Sequence, residues 1–313
     1  HGAGGTLIQH LKEHKLHADL VADERFFYFT TCGWMMWNLF VSSLAVGATL
    51  ILYDGSPFHP GSEVLWQMAE TESLNVFGTS AKYLADLEKN NFRPGEHFPL
   101  KTLRAVQSTG SPLLPQSFDF VYQHIKPDLQ LASISGGTDI ISCFALGNPT
   151  LPVYRNEIQC RGLGMDVQIF NDDGQSIIGE PGELVCVCPF PSRPLYFWND
   201  PDGRKYHESY FDVFPNIWRH GDWAELTTHG GLIMYGRSDA VLKPGGVRIG
   251  TAELYRAVEK IPEIVEALAV GQQWEGDERV VLFVRLQPGL ALTAALSELI
   301  KRTIRADASP RHV

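Results

Sequence analysis

Between residues 1 and 148 the chain alternates two kinds of segment, and that alternation limits its fold more than any other feature. Short β-rich runs (FFYF, ATLILY, LNVFG, LRAVQS, LQLASIS) are separated by helix-patterned stretches such as GSEVLWQMAETE and PLLPQSFDFVYQHI. Regular alternation of this kind predicts an α/β fold, a parallel sheet wrapped by helices whose strand ends carry ligand-facing loops. The most apolar stretch, NLFVSSLAVGATLILY, is interrupted by serines and Gly47. It parses as a buried helix followed by a strand, and no membrane span is expected.

The texture changes after that. From 149 to 238, MDVQIF, NDDGQ, GEPGELVCVC and AELTTHGGLIMYG alternate apolar runs with turn signals, which predicts a β-rich antiparallel subdomain completing the core of the first region. From 239 to 313 a glycine- and charge-rich connector leads into TAELYRAVEKI, with Leu254, Val258 and Ile261 on one helical face, then IVEALAVG, RVVLFVRL and TAALSELIKRTIR. This order predicts a hinge and a partial C-terminal α+β domain, with the boundary near Asp239.

A chain of 313 residues with 44% hydrophobic content can bury a large core and divide into about two domains. Its net charge of −10 offers no basic footprint, so nucleic acid is not an expected partner. Cys32, Cys143, Cys160, Cys186 and Cys188 form no CxxC pair and read as reduced thiols packed in a core, in a cytoplasmic setting. His10, His14 and His17 share helical spacing without a completing ligand set and read as solvated helix surface. There is no GxSxG elbow and no Gly-Lys pair for a Walker loop, and GLGMDV lacks the third glycine of a dinucleotide fingerprint.

Three stretches suggest chemistry. In SISGGTDIIS, Gly136 and Gly137 let main-chain N–H groups approach an anion, Thr138 can bond a phosphate oxygen and Asp139 can hold the accompanying divalent cation. Alone, the same residues also describe a tight turn capping a helix. In WRHGDWAEL, Asp222 can accept from two neighbouring sugar hydroxyls, although a Gly-Asp pair between strands also reads as a hairpin turn. In GRSDAVLKPGGVRIG, Arg237 and Arg248 supply cations, Asp239 sits at the change of texture, and Gly245 and Gly246 relax the backbone; an ordinary charged connector is the alternative.

Taken in order, HGAGGT, CGW, STGSP, SGGTD, GELV, HGDW and GRSDAVLKPGGVRIGTAE resemble the successive core motifs of the acyl-adenylate-forming superfamily, across essentially the whole chain. Within it, YDGSP, STGSPL, ISGGTDIISCF, GELVCVCP and FWND resemble the acetoacetate–CoA ligases. The resemblance implies two half-reactions, in which a carboxylate and ATP give an acyl-adenylate and coenzyme A then displaces AMP. ATP, acetoacetate and coenzyme A are the implied partners, with Mg2+ accompanying ATP. Another short-chain acyl-CoA synthetase is the alternative within the class, and a non-catalytic nucleotide-binding module the alternative outside it.

By position, the resemblance implies that Gly110, Ser111 and Pro112 line the adenine and α-phosphate region, with Gly137 and Thr138 at the phosphate. It makes Thr138, Asp139 and Arg248 the catalytic set, Asp139 associated with magnesium and Arg248 near phosphate. Asp222 would bind the ribose hydroxyls with help from Arg237, Asp239 would be the hinge, and Gly246 would lie where the coenzyme A tunnel closes. Trp34 and Gly136 would border the acyl pocket, Gly136 matching a tryptophan that walls off the pocket of acetyl-CoA synthetase. Ser135 replaces the usual aromatic, Asp139 the usual glutamate, and His220 the usual threonine before Gly-Asp. A phosphate loop before His1 and a catalytic lysine after SPRHV are expected from the family, so the chain reads as an internal fragment that alone makes little acyl-adenylate.

Overall fold

The computed structural model describes residues 1–242, 248–274 and 277–308. Five strands, β1 (Arg25–Tyr28), β2 (Thr49–Leu50), β3 (Val76–Ser80), β4 (Ala105–Thr109) and β5 (Gln130–Ser133), form an all-parallel sheet in the order β2-β1-β3-β4-β5. Successive side chains point to opposite faces, and both faces are covered. Phe27, Phe77, Val106 and Leu131 pack with residues of helices Val64–Thr71, Ala81–Lys89 and Pro115–Phe120, whereas Phe26, Tyr28, Val76 and Ala105 pack with residues of helix Met35–Ser42. Trp66 is fully buried and stacks on Phe77 at 4.5 Å, which fixes helix Val64–Thr71 against β3. The expected helix-then-strand parse of NLFVSSLAVGATLILY holds, with Gly47 at φ +85° ending the helical part; of ATLILY only Thr49 and Leu50 pair as a strand.

After β5 the chain leaves the parallel sheet and enters an antiparallel three-stranded one, β6 (Ser135–Gly137), β7 (Ser142–Leu146) and β8 (Cys160–Arg161). A four-stranded antiparallel sheet follows, ordered β12-β11-β10-β9, from β9 (Val167–Phe170), β10 (Pro181–Cys186), β11 (Trp218–Leu226) and β12 (Leu232–Arg237). Its core joins Trp218, Val167, Ile169 and Leu184 to Ile140 and Phe144, so the two antiparallel sheets share one apolar interior. A separate core forms from helix Thr251–Val258, the hairpin β13 (Ile264–Trp274) and β14 (Asp277–Leu286), and helix Ala294–Asp307. Leu254, Val258 and Ile261 are 1%, 0% and 4% exposed, as the helical spacing predicts. Among the described residues no helix is long and apolar enough to cross a membrane.

Two expectations fail. His10, His14 and His17 are 1%, 2% and 2% exposed, not solvated. Helix Ala3–Lys12 continues into a π-turn at Glu13–His17, and each ring nitrogen meets a main-chain carbonyl of another element: Ile141 O at 2.5 Å for His10, Leu39 O at 2.9 Å for His14, Gly147 O at 2.8 Å for His17. Those bonds offset the cost of burying the rings, which spacing alone does not reveal. The cysteines are free, but only Cys143 and Cys186 are buried; Cys32 and Cys188 are exposed, because their positions fall on loops.

Burial lowers the pKa of His14 from 6.5 to about 4 against the pull of neighbouring Glu13. The unfolded chain takes up this proton below pH 6.5 and the fold resists it until about pH 4. Stability should therefore fall by about 3 kcal/mol as pH drops through that window, with no penalty from this group above it and the full, constant penalty below it. Denaturant melts at pH 7, 5.5 and 4 should show this decline in the wild type and a shallower one in His14→Gln.

Candidate functional site

A cavity of about 310 Å³ opens beside the carboxyl ends of β4 and β5 and is closed by β6, β11 and β12. It brings together Gly110, Ser111 and Pro112 from the loop after β4, Gly136, Gly137 and Thr138 from β6 and the turn after it, and Trp34 from the start of helix Met35–Ser42. Asp222 and Arg237 complete it from across the antiparallel sheet. Gly110 has φ +91°, a left-handed turn that lets the chain leave β4 with its main chain open to the cavity.

Gly136 and Gly137 lie in a strand, not in a loop at the end of the parallel sheet. A Cβ added at Gly136 would lie 2.1 Å from Ser142 O and 2.6 Å from Cys143 Cα, so the close approach of β6 to β7 demands glycine. Any side chain there requires the backbone to shift before it can project anywhere. A Cβ at Gly137 would meet His220 Cε1 at 3.1 Å.

Asp222 sits within β11 and not in a hairpin turn. Pairing with β10 shifts between Glu183, which faces Trp223, and Val185, which faces Arg219, and Gly221 takes φ +82° in the resulting bulge. The bulge turns Asp222 inward to 8% exposure, opposite Arg237 on β12. Arg237 Nη1 donates to Asp222 Oδ1 and to His220 O, both at 3.2 Å. Burial raises the Asp222 carboxyl above the usual range, and neighbouring His220 and Arg237 offset part of that. His220 is buried, and desolvation lowers its pKa, so it faces Asp222 Oδ2 at 3.7 Å as a neutral ring. Trp218 Nε1 donates to His220 Nδ1 at 3.5 Å, which leaves the imidazole proton on Nε2.

Thr138 and Asp139 are exposed in a single 3-10 turn, Thr138–Ile140. The next residue, Ile141, holds φ +46°, an uncommon conformation for a β-branched residue, where His10 bonds its carbonyl. Tyr210 Oη donates to Asp139 Oδ2 at 2.7 Å, and burial with this contact holds the phenol far above its usual pKa. The other oxygen of Asp139 accepts no hydrogen bond among the described residues. A lone exposed carboxylate with one free oxygen suits a magnesium ion held mainly by nucleotide phosphates.

Asp139 and two other predicted residues, Asp239 and Arg248, lie apart from the cavity lining. Asp239 is in an exposed turn, Ser238–Ala240, 3.6 Å from Arg237 Nε. Arg248 donates to both oxygens of Asp172 at 2.9 Å and lies over the Trp223 ring at 5.0 Å. Gly246 falls outside the described residues. Sequence reasoning missed Tyr210 as a site residue, since nothing in HESYFDVF ties it to a carboxylate 71 positions earlier.

No family model matches the chain. Its fold is that of the adenylate-forming CoA ligases: it aligns over its whole length with 58% of the anthranilate CoA ligase AuaEII, solved in complex with anthranoyl-AMP, at a TM-score of 0.82 and 16% identity. More narrowly, the chain belongs to the acetoacetyl-CoA synthetase family. It is 62% identical over 313 residues to the acetoacetyl-coenzyme A synthetase of Rhizobium meliloti and 50% identical over 315 to that of Danio rerio, covering 48% and 47% of those proteins. It also aligns over 99% of its length with 48% of the solved acetoacetyl-CoA synthetase from Streptomyces lividans, at 48% identity and a TM-score of 0.93. The chain spans about half the length of the relatives it matches.

The backbone contacts at Gly136 predict that Gly136→Ala destabilises the fold by about 1–3 kcal/mol through overpacking against β7. Urea titration should show the loss, and Gly4→Ala, where an added Cβ meets nothing within 4 Å, should not.

Proposed function

We propose that the protein carrying this chain joins acetoacetate to coenzyme A in an ATP-dependent, AMP-forming reaction through an acyl-adenylate. The observation that carries the reading is that residues from four separate motifs, Gly110 to Pro112, Gly136 to Thr138, Asp222 and Arg237, border one cavity although the sequence separates them by up to 127 positions. Family membership supports the choice of acid, and the five free cysteines accord with a cytoplasmic location.

In this reading the loop at Gly110, Ser111 and Pro112 borders adenine and the α-phosphate, and Asp222 accepts from the two ribose hydroxyls. Desolvation makes Asp222 a strong acceptor once its partners hold it ionised, and Arg237 fixes its orientation. Gly137 lets phosphate approach the main chain of β6, and the Thr138 hydroxyl donates to a phosphate oxygen. Asp139 would hold magnesium, which supplies charge neutralisation on the phosphates. Trp34 and Gly136 border the acyl end. Arg248 reaches phosphate only if it leaves Asp172, so its part belongs to a different placement of the segment after Asp239. We assign Asp239 to the hinge between residues 1–238 and the C-terminal α+β unit.

The test is acid-dependent exchange between ATP and pyrophosphate by the protein carrying this chain, with acetoacetate, acetate, propionate and butyrate. Acetoacetate should support the fastest exchange. Asp222→Ala should lower it at least about 10–100-fold, the loss of a charged hydrogen-bond partner. Preference for butyrate would overturn the substrate, and no exchange with any acid would favour the non-catalytic nucleotide-binding module.

A further inference from the structure

Asp139 lies on an exposed three-residue turn, where a carboxylate without a partner samples several rotamers. Among the described residues the hydrogen bond to it comes from Tyr210, whose hydroxyl takes Oδ2. Tyr210 is itself held rigidly. It is 5% exposed, its ring lies flat on Trp218 at 3.7 Å and 13°, and Phe197 and Tyr206 meet it edge-on. Trp218 is 2% exposed at the start of β11 and donates toward His220, the ring beside Asp222. One buried aromatic stack therefore bonds Asp139 at one end and, at the other, the His220 ring that faces Asp222.

We propose that Tyr210 is a positioning residue for Asp139: its hydroxyl occupies Oδ2 and leaves Oδ1 as the oxygen presented to the metal ion on a bound nucleotide's phosphates. This deepens the proposed function and rests on it. The hydroxyl acts only through Asp139, so its removal changes how the protein responds to magnesium and leaves the adenine and ribose contacts intact. A purely structural tyrosine would have the opposite signature, weakening binding of every nucleotide alike.

The experiment is calorimetric titration of ATP at a series of Mg2+ concentrations, and of AMP without metal, for wild type, Tyr210→Phe, Asp139→Asn and the double variant. Tyr210→Phe keeps the ring and its stack. It should need about 10-fold more Mg2+ for half-maximal ATP binding, the usual cost of losing a partner that orients a metal ligand, with AMP affinity unchanged. In the Asp139→Asn background it should cause no further shift, since the two residues act as a unit. An unaltered Mg2+ response, an equal shift in the Asp139→Asn background, or loss of AMP binding in Tyr210→Phe would each overturn the inference while leaving the proposed function standing. Failure of the wild type to bind either nucleotide would overturn both.

Discussion

Asp222 is a carboxylate that the fold has taken out of water, and the arrangement around the cavity follows from the need to partner it. Burial disfavours its charge, so the fold supplies Arg237 across the β11–β12 pairing and a neutral His220 two residues before it. Reaching that geometry requires the bulge at Gly221, where an added Cβ would sit 2.6 Å from Arg237 Nη2. His220, turned inward by the same bulge, packs edge-on against Phe144 at 4.8 Å and beside Gly137, which ties β11 to β6 and β7. The neutral ring beside the buried charge thus also joins two sheets.

A second buried polar cluster stabilises the other side of β7. Glu13, 3% exposed in the π-turn, accepts from Gln9 Nε2 at 3.1 Å, from the Ser142 hydroxyl and from Cys143 N at 3.3 Å. Together with the His10 bond to Ile141, these contacts hold the three residues that immediately follow the Thr138–Ile140 turn. The left-handed Ile141 persists because its surroundings determine it on several sides, not because its own preferences favour it.

Much of the layered architecture was legible, because periods of two and of 3.6 residues mark which faces are buried: Phe26 and Phe27 were readable as opposite faces of a strand, and Leu254 with Val258 as one face of a helix. What the residues could not reveal depended on partners distant in sequence. The histidines at 10, 14 and 17 looked solvated because the carbonyls that satisfy them lie 25 to 131 positions away. The Gly-Asp pair at 221 and 222 carries a turn's composition, yet β10 and β12 claim it on both sides as a bulged central strand. Gly136, expected beside the acyl pocket, does line the cavity, but nothing in the sequence showed that its backbone is also pressed against β7. Tyr210 had no local signature at all.

Arg237 divides its guanidinium between two kinds of neighbour. Nη1 serves the buried carboxylate and the His220 carbonyl, while Nε faces Asp239, which is 78% exposed. Exposed pairs of the second kind are worth under about 1 kcal/mol. The other ties from the C-terminal unit to the rest include further arginines, Arg248 on Asp172 and Arg256 on Asn156 and Met234 O. The seam therefore combines exposed pairs that water can replace with helix Thr251–Val258 packed on β12, where burial lowers the pKa of Arg256. A displacement of the chain beyond Asp239 would give up exposed pairs at little cost, would have to strip helix Thr251–Val258 from β12, and would leave the Arg237–Asp222 bond in place, so packing more than charge resists such a movement.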